Sequence, residues 1–205
     1  MAHAGALHDE DVMLPPHGRE PGAGVYNEKL GMWVFLGSEI MFFTALIGTY
    51  IILRVAHPTA WKAPGEVLAV PITAVNTFLL ICSSVTMVKA FASVQDGNLS
   101  GLRKWLIGTV LIGSTFVGVQ VYEYRHLIEK GFVPSEGLYG STFYTMTGFH
   151  GLHVIVGVIW LIAIWIAAAR GKFSAQNFLR IELAGLYWHF VDLVWVLLFT
   201  IVYLM

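Results

Sequence analysis

Five long runs of mostly apolar residues, separated by short polar segments, follow a polar N-terminal stretch. An α-helix rises about 1.5 Å per residue, so about 20 apolar residues cross a hydrocarbon core of about 30 Å. The pattern predicts an all-α fold, an integral membrane bundle of five transmembrane helices. The predicted spans are residues 30–53, 67–91, 105–126, 143–169 and 183–205.

The predicted domain organisation is a polar tail, residues 1–29, followed by one transmembrane domain, residues 30–205. The tail contains prolines and glycines, and it lacks the basic segment and apolar core of a secretory signal peptide. It is therefore expected to be flexible, with His3, His8 and His17 solvated rather than bound to metal. The segments between the spans, including residues 92–104, are predicted to be short surface loops.

Composition excludes a soluble domain, because hydrophobic residues make up 57% of the chain and charged residues only 12%. The net charge of −1 gives no indication of nucleic-acid binding. The single cysteine, Cys82, excludes an internal disulfide and a thiolate metal cluster. In the third span, Gly108, Gly113 and Gly118 would permit close helix packing.

The distribution of lysine and arginine predicts the orientation in the membrane. The tail and the second and fourth loops carry eight such residues, and the opposite side carries four. The eight are Arg19, Lys29, Lys89, Arg103, Lys104, Arg170, Lys172 and Arg180, and the four are Arg54, Lys62, Arg125 and Lys130. Positive charge marks the cytoplasmic side, so the N-terminus is predicted to be cytoplasmic and the C-terminus outside.

Glu39 is the one carboxylate within the first predicted span. It lies about 13–14 Å from the start of that span, close to the membrane midplane. An ionised carboxylate there costs about 2.5–3.5 kcal/mol on insertion scales. Glu39 is therefore expected to be protonated, paired or turned away from lipid.

Four more ionisable residues lie within the last two spans, at i,i+3 spacing in each: His150 and His153, then His189 and Asp192. Such spacing places each pair on roughly one helix face. The depths of His153 and Asp192 match that of Glu39, so these groups should meet inside the bundle or at a subunit contact. His153 is the predicted partner of Glu39.

Three interpretations of these polar groups compete. Histidines on facing helices could hold a haem or a metal ion, although the chain has no HExxH or paired-cysteine pattern. The carboxylates could form the relay of a proton or ion transporter, which would favour inverted repeats or interrupted helices. The chain could instead be an accessory subunit whose buried polar groups hold lipid, partner helices or protons for another subunit's chemistry.

Four segments carry a family resemblance: GMWVFLGSEIMFF, FVGVQVYEY, FYTMTGFHGLHVIVG and YWHFVDLVWVLLF. With these segments in this order, the chain from Asn27 to Met205 resembles subunit III of haem-copper respiratory oxidases, which include cytochrome c oxidase and quinol oxidase. The resemblance implies the five-helix form of a family that also has a seven-helix form. The related small subunit found with nitric oxide reductases is an alternative within the same family.

The resemblance implies an accessory role in aerobic electron transport, in a bacterial plasma membrane. This chain would have no active site, haem or copper of its own, the haem and copper being held by partner subunits. It would pack on catalytic subunit I, bind phospholipid, and support proton uptake and sustained activity. Other oxidase subunits are further partners, with subunit IV and a larger supercomplex as candidates. The family glutamate matches Glu39, and further family motifs match Glu123 and the His189/Asp192 pair.

Overall fold

A computed structural model of the protein describes residues 27–135, 137–174 and 177–205. His3, His8, His17 and nearly all of the predicted tail lie outside these described residues. The helices are α1 (Asn27–Ala56), α2 (Pro64–Val67), α3 (Val70–Gln95), α4 (Leu99–Glu129), α5 (Leu138–Ala169) and α6 (Leu179–Phe199). A 3-10 turn, Pro58–Ala60, precedes α2, and a π-helical turn, Thr200–Leu204, continues α6.

Within the described ranges, five helices are long and apolar enough to cross a membrane: α1, α3, α4, α5, and α6 with its π-helical turn. The predicted all-α bundle of five membrane-spanning helices is thus confirmed. The helices extend into segments that the hydropathy pattern predicts to be loops, because polar residues at membrane interfaces continue the helical backbone. Of the predicted loop 92–104, only the turn between Gln95 and Leu99 lies outside a helix.

Local sequence explains where α3 ends and α4 begins. Gly97 adopts a φ of +72°, a conformation that glycine reaches without steric cost, and it reverses the chain. The Asn98 side chain then accepts a hydrogen bond from the Gly101 backbone N–H at 2.9 Å, capping the N-terminus of α4. At the other end of α3, Pro71 lies in the first turn, where a proline costs least.

The most enclosed helix is α6, which packs against α1, α3 and α5, while α4 packs between α3 and α5. In the most apolar 18-residue stretch of each helix, 56% of the residues are buried in α6 but only 11% in α1. The bundle is therefore a core of α3 to α6 with α1 attached at its edge. Of the three glycines in the third span, Gly113 makes a close approach, to the ring of Trp188.

The orientation of the bundle stays a prediction, and the short connections provide its test. In a Cys82→Ser background, a cysteine replacing Asp96 should react with a membrane-impermeant thiol reagent only from the cytoplasmic side. A cysteine replacing Ser135 should react only from outside. The reason is that the side of the bundle that carries Asp96 has the excess of lysine and arginine and is therefore predicted to be cytoplasmic, which places Ser135 on the opposite side. Both positions are exposed. Labelling of both from the same side would contradict the predicted topology.

Candidate functional site

Glu39 and His153 form the polar contact that joins α1 to α5. The Oε2 atom of Glu39 lies 3.0 Å from Nε2 of His153, so the predicted pairing is confirmed. The other ring nitrogen, Nδ1, lies 2.7 Å from the Phe149 carbonyl oxygen. Because a carbonyl can only accept, Nδ1 carries a proton and donates it. Nε2 can then accept from a protonated Glu39 or donate to its carboxylate, so the contact holds in either state.

The pair stands at the wall of an apolar groove between α1 and α5, with a volume of about 330 Å³. Both side chains keep slightly under a fifth of their surface exposed. The groove is lined by Phe35, Leu152, Val156, Trp160 and Tyr187 in addition to the pair. The Tyr187 hydroxyl donates a hydrogen bond of 3.0 Å to the His153 carbonyl, which fixes α6 behind the pair. A polar pair thus faces an otherwise apolar groove at mid-membrane depth.

His150 points into the bundle core rather than into this groove. Its ring is fully buried and stacks on Trp195, with 4.8 Å between ring centroids. The rings of Phe43 and Phe116 approach it edge-on. Neither ring nitrogen has a hydrogen-bond partner among the described residues. The two histidines of the GFHGLHV segment therefore belong to different environments.

Glu123 lies near the end of α4, about 9 Å from its last residue, and is buried at 5% exposure. Its carboxyl group accepts hydrogen bonds from the Thr73 hydroxyl and the Tyr203 hydroxyl, each at 3.1 Å. Thr73 belongs to the first turn of α3, and Tyr203 to the π-helical turn. Glu123 therefore holds three elements together at one end of the bundle.

His189 and Asp192 meet through a serine of α3. Nδ1 of His189 lies 3.0 Å from the Ser84 hydroxyl oxygen, and the same hydroxyl donates to Oδ2 of Asp192. The Oδ1 atom of Asp192 is buried and has no partner among the described residues. Asp192 is therefore only partly satisfied by the described residues.

The sequence alone did not predict that hydroxyl groups on α3 accept hydrogen bonds from side chains of α6. The Trp188 indole N–H donates to Ser83 and the Trp195 indole N–H to Thr77, both at 2.9 Å. Thr77 and Ser84, which contacts His189, are seven residues apart and therefore lie on one face of α3, whereas Ser83 is turned by about 100° from Ser84. The spacing of Thr77 and Ser84 was the available signal.

The six predicted polar residues thus occupy four separate places: Glu39 with His153, His150, Glu123, and His189 with Asp192. No group of three or more histidine, cysteine, aspartate or glutamate side chains converges as a metal site within the described part of the chain. Each place except that of His150 connects two or more helices through hydrogen bonds. Chemically, the arrangement can fasten helices and hold protons at separate positions.

Comparison with known proteins agrees with this architecture. The family model described as cytochrome c oxidase subunit III matches residues 16–205. The chain is similar to cytochrome c oxidase subunit 3 of Alkalihalophilus pseudofirmus, at 35% identity over 98% of each chain. It is 38% identical to the Bacillus subtilis protein of the same name, over 87% of this chain and 86% of the relative. It is 35% identical to cytochrome bo(3) ubiquinol oxidase subunit 3 of Pseudomonas aeruginosa, over 97% of this chain and 90% of the relative.

Proposed function

The chain belongs to the cytochrome c oxidase subunit III family, and from this premise we propose that it is the accessory subunit III of a bacterial haem-copper terminal oxidase. In this proposal it lies in the plasma membrane and packs on catalytic subunit I. It also binds phospholipid and supports proton uptake and sustained activity. The observation that carries the proposal is the Glu39–His153 contact, a satisfied polar pair that fastens a peripheral helix beside an apolar groove.

The separation of the polar groups favours a supporting role over transport. A proton relay needs ionisable groups within hydrogen-bond reach of one another, directly or through water. Glu39 bonds to His153 on α5, whereas Glu123 bonds to Thr73 and Tyr203 near one end of the bundle. Each carboxyl group therefore serves a local helix contact.

Lipid binding is proposed for the groove between α1 and α5. Its walls are mainly aromatic and aliphatic, which suits a hydrocarbon chain. At mid-membrane depth, the acyl part of a phospholipid is the part that reaches it. Glu39 would keep this groove in shape by holding α1 against His153, so its role is positional.

Haem and copper are proposed to reside in the partner subunits. His150 is enclosed by three aromatic rings, and His153 and His189 already contact Glu39 and Ser84 through one ring nitrogen. A haem held by two of these histidines would need their rings to face one pocket. The distribution favours packing and hydrogen bonding as their role.

A quinol oxidase is the second candidate for the parent complex, because the relative from Pseudomonas aeruginosa is named as a subunit of a ubiquinol oxidase. Activity of the purified complex with reduced cytochrome c or with a quinol distinguishes the two electron donors. A nitric oxide reductase association would instead give nitric oxide reduction by the same preparation.

Affinity purification of the tagged chain from its native membrane in a mild detergent tests the proposal. We expect a haem-copper subunit I to co-purify, identified by peptide masses and by haem absorbance. After the subunits are separated, the absorbance should stay with the partner, because this chain offers no converging ligand set within its described residues. Recovery of the chain without a haem-copper partner would contradict the proposed function. Haem retained on the separated chain would contradict the assignment of the cofactors.

A further inference from the structure

One outward surface of the bundle carries polar groups at mid-membrane depth. This surface, the α3/α6 face, consists of Ile81, Ser84 and Val88 on α3 and Leu186, His189 and Leu193 on α6. The spacing of three and four residues places each set on one side of its helix. Val88 and Leu193 are 53% and 63% exposed, so the described part of the chain leaves this side of both helices uncovered.

The polar groups of the α3/α6 face lie too deep for lipid headgroups to satisfy them. Within the helical stretch from Leu179 to Leu204, Asp192 lies about 18–20 Å from either end at 1.5 Å per residue. Acyl chains, which occupy that depth, offer no hydrogen-bonding atoms. Ionisable residues at such depth face protein or a water-filled cavity.

The described residues leave the hydrogen bonds of the cluster incomplete. Ser84 has one hydroxyl hydrogen, which it donates to Asp192, so the contact with His189 is one in which Nδ1 donates to the serine oxygen. The other ring nitrogen, Nε2, is then an acceptor, and it has no partner among the described residues. His189 is the partly exposed end of the cluster, whereas Asp192 is its buried end.

A groove of about 180 Å³ lies directly beside His189. Met87, Val88, Phe91 and Leu186 form its apolar walls, and Glu182, which is paired with Lys29, lies at its end toward the start of α6. A protruding apolar side chain from outside fits such a groove. The α3/α6 face therefore combines an apolar depression with an adjacent hydrogen-bond acceptor.

We propose that the α3/α6 face is the docking surface for a transmembrane helix of another subunit, and that this helix brings a hydrogen-bond donor to Nε2 of His189. This inference rests on the proposed function, which makes that subunit the haem-copper subunit I. Asp192 acts as a positioning residue, since it fixes the ring of His189 through Ser84. A second copy of this chain fits less well, because it would bring another acceptor histidine to this surface.

Photocrosslinking in the intact complex tests the surface. The photoreactive residue p-benzoylphenylalanine replaces Leu193 on the α3/α6 face or, as a matched control, Leu111 on α4. The two leucines are similarly exposed, at 63% and 61%, and both lie near mid-helix. We expect the probe at position 193 to form adducts with peptides of subunit I, and the probe at position 111 to form lipid adducts. Adducts of position 193 with lipid alone, or with a second copy of this chain, would overturn the inference.

Substitutions of His189 test the hydrogen bond. His189→Gln retains an acceptor near the position of Nε2, whereas His189→Asn retains only the contact toward Ser84. We expect His189→Asn and His189→Leu to reduce the amount of subunit I retained after a detergent challenge by about three- to tenfold, the size of one hydrogen bond. His189→Gln should retain more than either. Equal retention by the wild type and all three variants would overturn the assigned role of His189.

The two proposals fail in different ways. If the wild-type chain recovers subunit I but the probe at position 193 reaches only lipid, the docking surface is wrong and the proposed function stands. If the wild-type chain recovers no haem-copper subunit, the proposed function falls, and the docking surface falls with it.

Discussion

Replacing Trp188 by alanine is expected to lower the stability of the bundle by about 3–5 kcal/mol. The side chain is 1% exposed and lies between α4 and α5. A Cβ atom added at Gly113 would come within 2.6 Å of its ring, and one at Gly157 within 3.0 Å. Because helices in lipid associate largely through close packing, emptying this space removes contacts that the bilayer does not replace.

Two variants separate the contributions to this loss. Trp188→Phe retains much of the ring volume but loses the indole N–H that donates to Ser83, so its effect should be intermediate. Trp33→Ala removes the same side chain where it is 55% exposed, and its effect should stay within about 0.5 kcal/mol. The measurement is reversible unfolding in mixed detergent micelles. Equal effects at positions 188 and 33 would contradict the packing that the structure describes.

Removing the Glu39 side chain is expected to shorten the active lifetime of the assembled oxidase. Glu39→Ala leaves Nε2 of His153 without its partner, at a cost of about 1–3 kcal/mol for an unsatisfied buried group. The loss falls on α1, the helix with the least buried surface among the five spans. We therefore expect α1 to separate more readily from α5 and the groove to retain less lipid. The measurements are turnover followed over time and the lipid content of the purified complex.

Glu39→Gln is the matched control, because an amide keeps the shape and can still hydrogen-bond with His153. This variant should assemble and turn over nearly normally. If Gln and Ala variants both kept the wild-type rate and lifetime, Glu39 would be a tolerated buried acid. If the Gln variant alone abolished activity, a direct proton-transfer role would replace the positional one. A double-mutant cycle with His153→Ala should be non-additive if the two residues act as a pair.

The sequence predicts those features of the fold that depend on a single helix and not on its packing against others. Hydropathy and length are enough to identify five spans, because the bilayer imposes a minimum apolar length on each. The depth of a residue in the membrane also follows from its position along the helix, which is why the Glu39–His153 contact could be predicted. Helix ends are less regular, since caps such as Asn98 carry a helix on into polar sequence.

The sequence does not predict how each helix is rotated about its axis, and so which neighbour each side chain faces. A separation of three residues turns a side chain by about 60° from its neighbour on the same face. That offset is enough to send His150 into the core and His153 toward Glu39. Likewise, the three glycines of the third predicted span were equivalent as sequence, yet of these only Gly113 meets the Trp188 ring, while Gly108 and Gly118 have nothing within 4 Å. Packing between helices decides such differences.

The attachment of α1 has a consequence for how the protein is made. Its polar contacts join Lys29 to Glu182, Glu39 to His153 and Arg54 to the main-chain oxygen of Met205, over sequence separations of 153, 114 and 151 residues. At a synthesis rate of about 5–20 residues per second, each partner leaves the ribosome about 6–30 s after the α1 residue it will bind. The first of the five described spans to be made thus waits for partners on the last two. For that interval Glu39 depends on the insertion machinery or on another chain to keep it from bare lipid.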